Sequence, residues 1–425
     1  MAIKKTATKA DPGVLPPGVW EETMTRVDTT PATSGRALLL VFLAAVIEGF
    51  DLQSAGVAAP KLVPVFSLTP NQIGLFFSAA TVGLIVGALA GGRIADAWGR
   101  RAGLVLSLVT FGLFSLATAL AASFDQLLIM RFLTGVGLGG ALPNLVNIAD
   151  EAAGPARRAR AVALMYAGVP LGGALAGLTV LSGLQGTSWS FIFMVGGVLP
   201  LLLAPVVYLG LPALRGTTAV RRGMGDSLKD IVAPPVLFAS LALWVSFFLG
   251  LLVVYLLLNW LPQLLVAHGL TRADASWVQV VFNIGGVIGS LVGGRLLDRR
   301  HPLIPVGLGF AATAIALLMI AFLPPSLGWM LLGGGLVGGT ILCVQAVLYG
   351  MAPQCYPFSS RGTGVGVAVA MGRLGSIAGP LLAGVLVAGG SSPADVMVAL
   401  VPIILCAGGT TLMLIARHRR EVVPA

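Results

Sequence analysis

Charge is what this chain has least of: 10% of its 425 residues are Asp, Glu, Lys or Arg, against roughly 25% in an ordinary soluble domain. Long polar stretches are correspondingly rare, and a mean hydropathy of +0.96 excludes a soluble globular fold. Cysteine is scarce as well. Cys343, Cys355 and Cys406 are an odd three without the spacing of a disulfide framework or a zinc site, and they read as small apolar packing residues. The three histidines, His268, His301 and His418, all stand at or beyond the ends of apolar runs. Metal binding and Ser-His-Asp catalysis have no support, no cofactor is expected, and the chain does not read as an enzyme. Any proton it carries through an apolar medium must ride on a carboxylate.

What the chain has is hydrophobic length. A spanning helix needs about 20 apolar residues, and twelve stretches qualify: 37–59, 72–94, 102–121, 126–149, 159–183, 188–211, 236–263, 274–296, 303–323, 327–351, 362–388 and 396–416. The expected fold is an all-α membrane protein. A tail at 1–36, a six-helix half at 37–211, a linker at 212–235, a second half at 236–416 and a tail at 417–425 divide it. The first tail carries Lys4, Lys5 and Lys9, with no apolar core close enough behind them for a cleavable signal. The formal charge of +10 has a topological cause. Of the 26 Lys and Arg residues, all but four fall on the side of the bilayer that holds both termini. Lys61 and Arg272 fall on the other side, and Arg131 and Arg373 lie within spans. The positive-inside rule then places both termini in the cytoplasm, and a nucleic-acid partner is not needed to explain the charge. The expected surroundings are a lipid bilayer, and the expected state is a monomer.

The two halves are copies. Gly83–Asp96 reads GLIVGALAGGRIAD and Gly285–Asp298 reads GGVIGSLVGGRLLD, with Gly83, Gly87, Leu89, Gly91, Gly92, Arg93 and Asp96 recurring 202 residues later. This relates span two to span eight and gives two parallel six-helix halves, an architecture that transporters use. Gly83, Gly87 and Gly91 recur every fourth residue, a smooth stripe that lets a neighbouring backbone approach.

Gly92-x3-Asp96-x2-Gly99-Arg100-Arg101 resembles the loop signature of the major facilitator superfamily, and Gly294-x3-Asp298-Arg299 resembles a weaker copy of it. Ala97 stands where that family commonly has a basic residue. The resemblance implies the major facilitator fold, with these residues as a gating motif whose acid pairs with arginines of the neighbouring bundle. Within the superfamily the chain resembles the aromatic acid to proton symporters over nearly its whole length. Glu48-Gly49-Phe50-Asp51 matches their acid-Gly-x-Asp motif, RFLTGVGLGGALPN at Arg131–Asn144 their fourth span, and EAAGPARRAR at Glu151–Arg160 the loop after it. Gln345, Tyr349, Tyr356-Pro357, Arg361, Gly364 and Gly372-Arg373 through Gly379-Pro380 match their tenth and eleventh spans. EGFDLQSAG at Glu48–Gly56 and YAGVPLGG at Tyr166–Gly173 are most similar to the branch that imports hydroxyphenylpropionates.

Deep within the spans lie four charges: Glu48, Asp51, Arg131 and Arg373. Each costs at least about 2.5 to 3.5 kcal/mol at the bilayer centre, so such residues face the bundle interior and mark a substrate or ion path. Glu48 and Asp51 are three apart, hence on one face of a helix. Asp51 lies about 12 Å and Glu48 about 17 Å from the outer end of span one, and Arg131 about 8 Å from that of span four. If spans one and four are neighbours, as the resemblance implies, Arg131 pairs with Asp51, and Asp51, Glu48 and Arg131 form a proton-coupling set. Arg373 lies about 17 Å into span eleven with no acidic partner in the second half. Its planar fork suits a carboxylate, and the simplest partner is the substrate. Around it Asn144, Gln345, Tyr349, Tyr255, Asn259, Trp260 and Phe50 offer the mixture of apolar faces and few donors that suits a hydroxylated aromatic ring.

The reading is a proton-coupled importer of a small aromatic carboxylate across a bacterial-type inner membrane. Two alternatives stay open. One is a proton-antiport exporter of drugs or other hydrophobic solutes in the same fold, for which Pro170-Leu171-Gly172-Gly173 partly matches an antiporter signature without its preceding Gly-Pro. The other is a membrane receptor that binds an aromatic acid without moving it.

Overall fold

A computed structural model of the chain describes residues 31–153, 158–182, 188–211, 229–296, 302–357 and 360–422. Twelve helices among them are long and apolar enough to cross a membrane. They are α1 (Pro31–Phe66), α2 (Pro70–Trp98), α3 (Arg100–Ala119), α4 (Phe124–Ala153), α5 (Arg158–Leu181) and α6 (Phe191–Gly210). A second set follows: α7 (Pro234–Ala267), α8 (Arg272–Leu296), α9 (Leu303–Phe322), α10 (Leu327–Met351), α11 (Arg361–Ala388) and α12 (Pro393–Val422). Every expected span is there, with most of the helix ends displaced by about a turn or less. α1 and α12 run further, past the ends of the expected apolar windows. Twelve traverses bring the start of α1 and the end of α12 to one end of the bundle, the proximal end; the opposite end is distal.

Local chemistry sets the helix starts. α2 opens on a capping box: the Thr69 N–H donates to Gln72 Oε1 at 2.9 Å, and the Gln72 N–H donates to Thr69 Oγ1 at 3.4 Å. The Asp274 N–H donates to Thr271 Oγ1 at 3.1 Å ahead of α8, and the Asp395 N–H donates to Ser392 Oγ at 3.2 Å ahead of α12. All three caps stand at the distal end, where even-numbered helices begin. At the proximal end a single residue, Gly99, separates α2 from α3 at φ 89°, a left-handed conformation that suits glycine.

Packing within each half repeats the sequence duplication. A Cβ on Gly83 or Gly87 of α2 would lie 2.0 Å from the carbonyl oxygen of Phe132 or Val136 on α4. In the second half, Cβ atoms on Gly285 and Gly289 of α8 would lie 2.4 and 1.8 Å from the carbonyl oxygens of Gly335 and Gly339 on α10. The glycine stripe is therefore a seam inside each half, not between them. α1 and α5 close likewise, since a Cβ on Gly49 would meet Val169 O at 1.9 Å and one on Gly172 would meet Val46 O at 1.9 Å.

Between the halves, contact runs along three helix pairs, α1 with α7, α2 with α11 and α5 with α8. The close approaches there sit toward the distal end. Gly74 of α2 lies against Pro380 and Gly384 of α11, Gly177 of α5 against Val280 of α8, and Gly56 of α1 against the Asn259 backbone of α7. Polar bonds accompany them. Arg272 donates to the Pro60 carbonyl at 3.0 Å, and Ser78 donates to the Ile377 carbonyl at 2.9 Å. Gln53 of α1 donates to Asn283 Oδ1 at 2.8 Å and accepts from Asn283 Nδ2 at 2.8 Å and from Gln279 Nε2 at 2.6 Å. Among the described residues α4 packs chiefly on helices of its own half, and so does α10 apart from the contact of Tyr349 with Tyr166 of α5. The close approaches between the halves, among the described residues, thus gather toward the distal end.

The seam inside each half tolerates no Cβ. Gly87→Val is expected to abolish folded, monodisperse protein in detergent. Gly409→Ala on α12, where nothing lies within 4 Å of the added carbon, is expected to leave the melting temperature within a few degrees of the parent; size-exclusion and thermal-shift measurements check both.

Candidate functional site

The four mid-span charges form two centres. In the first, Arg131 of α4 donates from Nη1 to Asp51 Oδ2 at 3.1 Å and from Nη2 to the Asp51 carbonyl at 3.4 Å. Ser115 of α3 donates to Asp51 Oδ1 at 2.8 Å, and the guanidinium lies over the Phe193 ring of α6 at 5.5 Å. Asp51 is 0% and Arg131 1% exposed. This centre belongs wholly to the first half and joins α1, α3, α4 and α6. Three residues along a helix leave a 60° offset, enough to turn Asp51 into the half and Glu48 elsewhere.

Glu48 is 2% exposed, and its Oε2 has no hydrogen-bond partner among the described residues. It lies within electrostatic reach of Arg373 on α11, in the other half. Arg373 thus has an acidic neighbour after all, supplied by the first half rather than the second. Its Nη1 donates to Tyr255 Oη of α7 at 2.6 Å, its guanidinium carbon lies 5.9 Å from that ring, and the residue is partly exposed. Tyr349 of α10 packs edge-on against Phe247 of α7, with centroids 5.0 Å apart. One turn before Tyr349, Gln345 turns its Oε1 toward Gly250 of α7, and its buried Nε2 is unpaired among the described residues. Tyr166 of α5 meets Tyr349 from the opposite half, with ring centroids 6.3 Å apart and a 32° tilt. A centre of Glu48, Arg373, Tyr255, Tyr349, Gln345 and Tyr166 therefore spans the two halves.

The other four residues expected around the cavity are engaged elsewhere. Asn144 donates to the Gly140 carbonyl of its own helix at 2.9 Å and lies against Gly103 of α3. Asn259 donates to the Tyr255 carbonyl at 2.8 Å. Trp260 donates to the Pro380 carbonyl at 3.0 Å and stands edge-on to Phe77 at 5.5 Å, in the distal closure. Phe50 turns its ring to Gly196 of α6. Span membership gave their depth; which neighbour each one faces depends on helix rotation, which no residue type reveals.

The gating motif is described in part. Arg100 forms an ion pair with Glu151 at the end of α4. Arg101 donates to the Leu211 carbonyl at 3.2 Å and lies over the Tyr208 ring at 4.8 Å. These contacts stay within the first half. Gly92 has open space where a Cβ would stand, and Gly99 makes the α2–α3 turn; Asp298, Arg299 and the side chain of Asp96 lie outside the described residues. Charge alone did not point to Tyr166, Ser115 or the Gln53, Gln279 and Asn283 cluster, because all are neutral. Polar residues inside spans one and eight were the available signal.

Comparison with known proteins follows the same lines. The family model described as Major Facilitator Superfamily matches residues 41–338 and 264–424. The 3-(3-hydroxy-phenyl)propionate transporter of Escherichia coli (strain K12) is 43% identical over 92% of this chain and 97% of its own length. The gallate transporter of Pseudomonas putida is 30% identical over 84% of this chain and 87% of its own. Among solved structures, a bacterial homolog of the human lysosomal transporter Spinster, inward-facing and unoccupied, superposes with a TM-score of 0.73 at 21% identity, covering 92% of this chain and 99% of that one.

Removing one member of the first centre strands the other. Arg131→Met is expected to cost about 3 to 5 kcal/mol by leaving Asp51 buried and unpaired, whereas the double variant Arg131→Met with Asp51→Asn recovers most of that loss. Thermal melting of the three purified proteins checks the order.

Proposed function

The chain belongs to the major facilitator superfamily, and from that premise we propose that it imports a small aromatic carboxylate together with protons by alternating access. Family and fold are those of transporters rather than enzymes, and the protein is a multi-pass protein of the bacterial inner-membrane type. The similarity to transporters of hydroxylated aromatic acids supports the substrate class. The single observation that carries the mechanism is that a buried Glu48 with an unpaired Oε2, from the first half, and Arg373, held by Tyr255 at 2.6 Å in the second, lie within electrostatic reach of one another.

Arg373 is the anion clamp in this reading. A guanidinium at mid-depth with one hydrogen bond to Tyr255 keeps donors for a carboxylate, and its fork holds both oxygens. Glu48 is its counter-charge while the site is empty. When the substrate carboxylate takes Arg373, Glu48 loses that compensation and faces a second anion, so the centre returns to neutrality by taking a proton on Glu48. Binding of acid and of proton are thereby linked, and each favours the other by the same factor. Asp51 and Arg131 complete the set: their bond holds α1 to α4 inside the first half. With both termini in the cytoplasm, the distal closure faces outward. Gln53, Gln279 and Asn283 then form bonds that must break for the outer path to open.

Uptake into liposomes separates this reading from its alternatives. An inward proton gradient should accelerate accumulation of a labelled arylpropionate or hydroxybenzoate; an exporter requires the opposite gradient, and a receptor gives binding without uptake. Arg373→Lys should retain charge yet lose most affinity, because the bidentate geometry is gone, and the amide analogue of the acid should bind neither protein; calorimetric titration checks this. Glu48→Gln should abolish accumulation driven by a pH gradient while preserving counterflow between equal pools, which needs no net proton movement.

A further inference from the structure

The chain has five tyrosines, and three of them, Tyr166, Tyr255 and Tyr349, gather at Arg373. Tyr166 and Arg373 each stand about 22 Å from the distal ends of their helices, so they share a depth on opposite sides of the cleft. Tyr255 bonds Arg373 at 2.6 Å, Tyr349 packs edge-on against Phe247 of the same helix as Tyr255, and Tyr166 packs on Tyr349. The hydroxyls have different duties. Tyr255 Oη accepts from Arg373 and so helps to hold the clamp. Tyr166 and Tyr349 touch through their rings, and neither hydroxyl has a hydrogen-bond partner among the described residues. Tyr166 is 38% exposed although it points between the halves, which places it on the wall of the cleft rather than in a packed core.

Two free phenol hydroxyls beside an anion clamp are costly furniture for an apolar ligand. When the halves close over a bound acid, each hydroxyl loses water, and a buried donor without a partner costs more than the bond it forgoes. Sites built to pair with a hydroxyl reject analogues lacking it far more strongly than apolar pockets reject an added one. We propose that Tyr166 and Tyr349 read a ring hydroxyl of the substrate, so that the protein selects hydroxylated aromatic acids over their unsubstituted counterparts. The proposal rests on the reading of Arg373 as the carboxylate clamp. Because Tyr166 comes from one half and Tyr349 from the other, a hydroxyl bonded to both also ties recognition of the ring to the approach of the halves. Their rings, at 6.3 Å between centroids, are too close to admit an aromatic ring between them, so they meet the substrate at its hydroxylated edge.

The test is calorimetric titration of the full-length protein in lipid nanodiscs with 3-(3-hydroxyphenyl)propionate and with 3-phenylpropionate. The wild type should bind the hydroxylated acid more tightly. Tyr166→Phe and Tyr349→Phe should each lower that affinity about three- to tenfold while leaving binding of 3-phenylpropionate unchanged or improved, so that the ratio collapses toward one. Tyr208→Phe, at the proximal end beside Arg101, should leave the ratio intact. A wild type that binds both acids equally, or a ratio that survives in both Phe variants, overturns the assignment of Tyr166 and Tyr349 while leaving the clamp standing. Binding of neither acid by the wild type overturns the clamp and this inference together.

Discussion

A charge buried in hydrocarbon needs a partner, and the distribution of partners organises this protein. Two acids and two bases sit deep in the bundle. Asp51 and Arg131 satisfy one another inside a single half, with Ser115 completing the carboxylate's hydrogen bonds. Glu48 and Arg373 come from opposite halves and lie within electrostatic reach of one another, and one Glu48 oxygen is left without a hydrogen bond among the described residues. The closed pair is a strut. The open pair is the place where a third anion and a proton can enter, because its attraction depends on the relative position of two rigid bodies.

Rigidity of those bodies comes from glycine. The seams of α2 with α4, α8 with α10 and α1 with α5 bring backbone within reach of backbone, and tight van der Waals packing is the main source of helix association in lipid. Between the halves the bonds are of another kind: amide to amide at Gln53, Gln279 and Asn283, guanidinium to carbonyl at Arg272, hydroxyl to carbonyl at Ser78. Such bonds reform with water at modest cost once exposed. Strong seams within halves and exchangeable bonds between them are what a rocking mechanism requires.

Much of this was legible in the residues. Hydropathy located all twelve helices, since apolar length is a property of the chain alone, and the 202-residue repeat foretold the matching seams. The Asp51–Arg131 pair was legible once α1 and α4 were taken as neighbours. The cavity wall was less so. Tyr255, Tyr349, Gln345 and Arg373 meet at the cleft, whereas Asn144, Asn259, Trp260 and Phe50 turn to their own helix or a neighbour, because a rotation of 60° about a helix axis changes every contact and leaves depth unaltered. Placing Glu48 and Asp51 on one face missed that same angle. Tyr166 stood in a matching motif but was not read as a site residue, because a neutral aromatic in an apolar span looks like packing until the opposite half supplies Tyr349.

The central claim is that the acid's carboxylate takes Arg373 and that Glu48, losing that compensation, then takes a proton. Proton uptake by the purified protein on adding the acid, followed with a pH indicator in weakly buffered solution, tests it most directly. The account predicts uptake of a proton per bound acid in the wild type and its loss in Glu48→Gln with binding retained. Proton uptake of undiminished size in Glu48→Gln, or binding of the acid by the wild type without any, would contradict it.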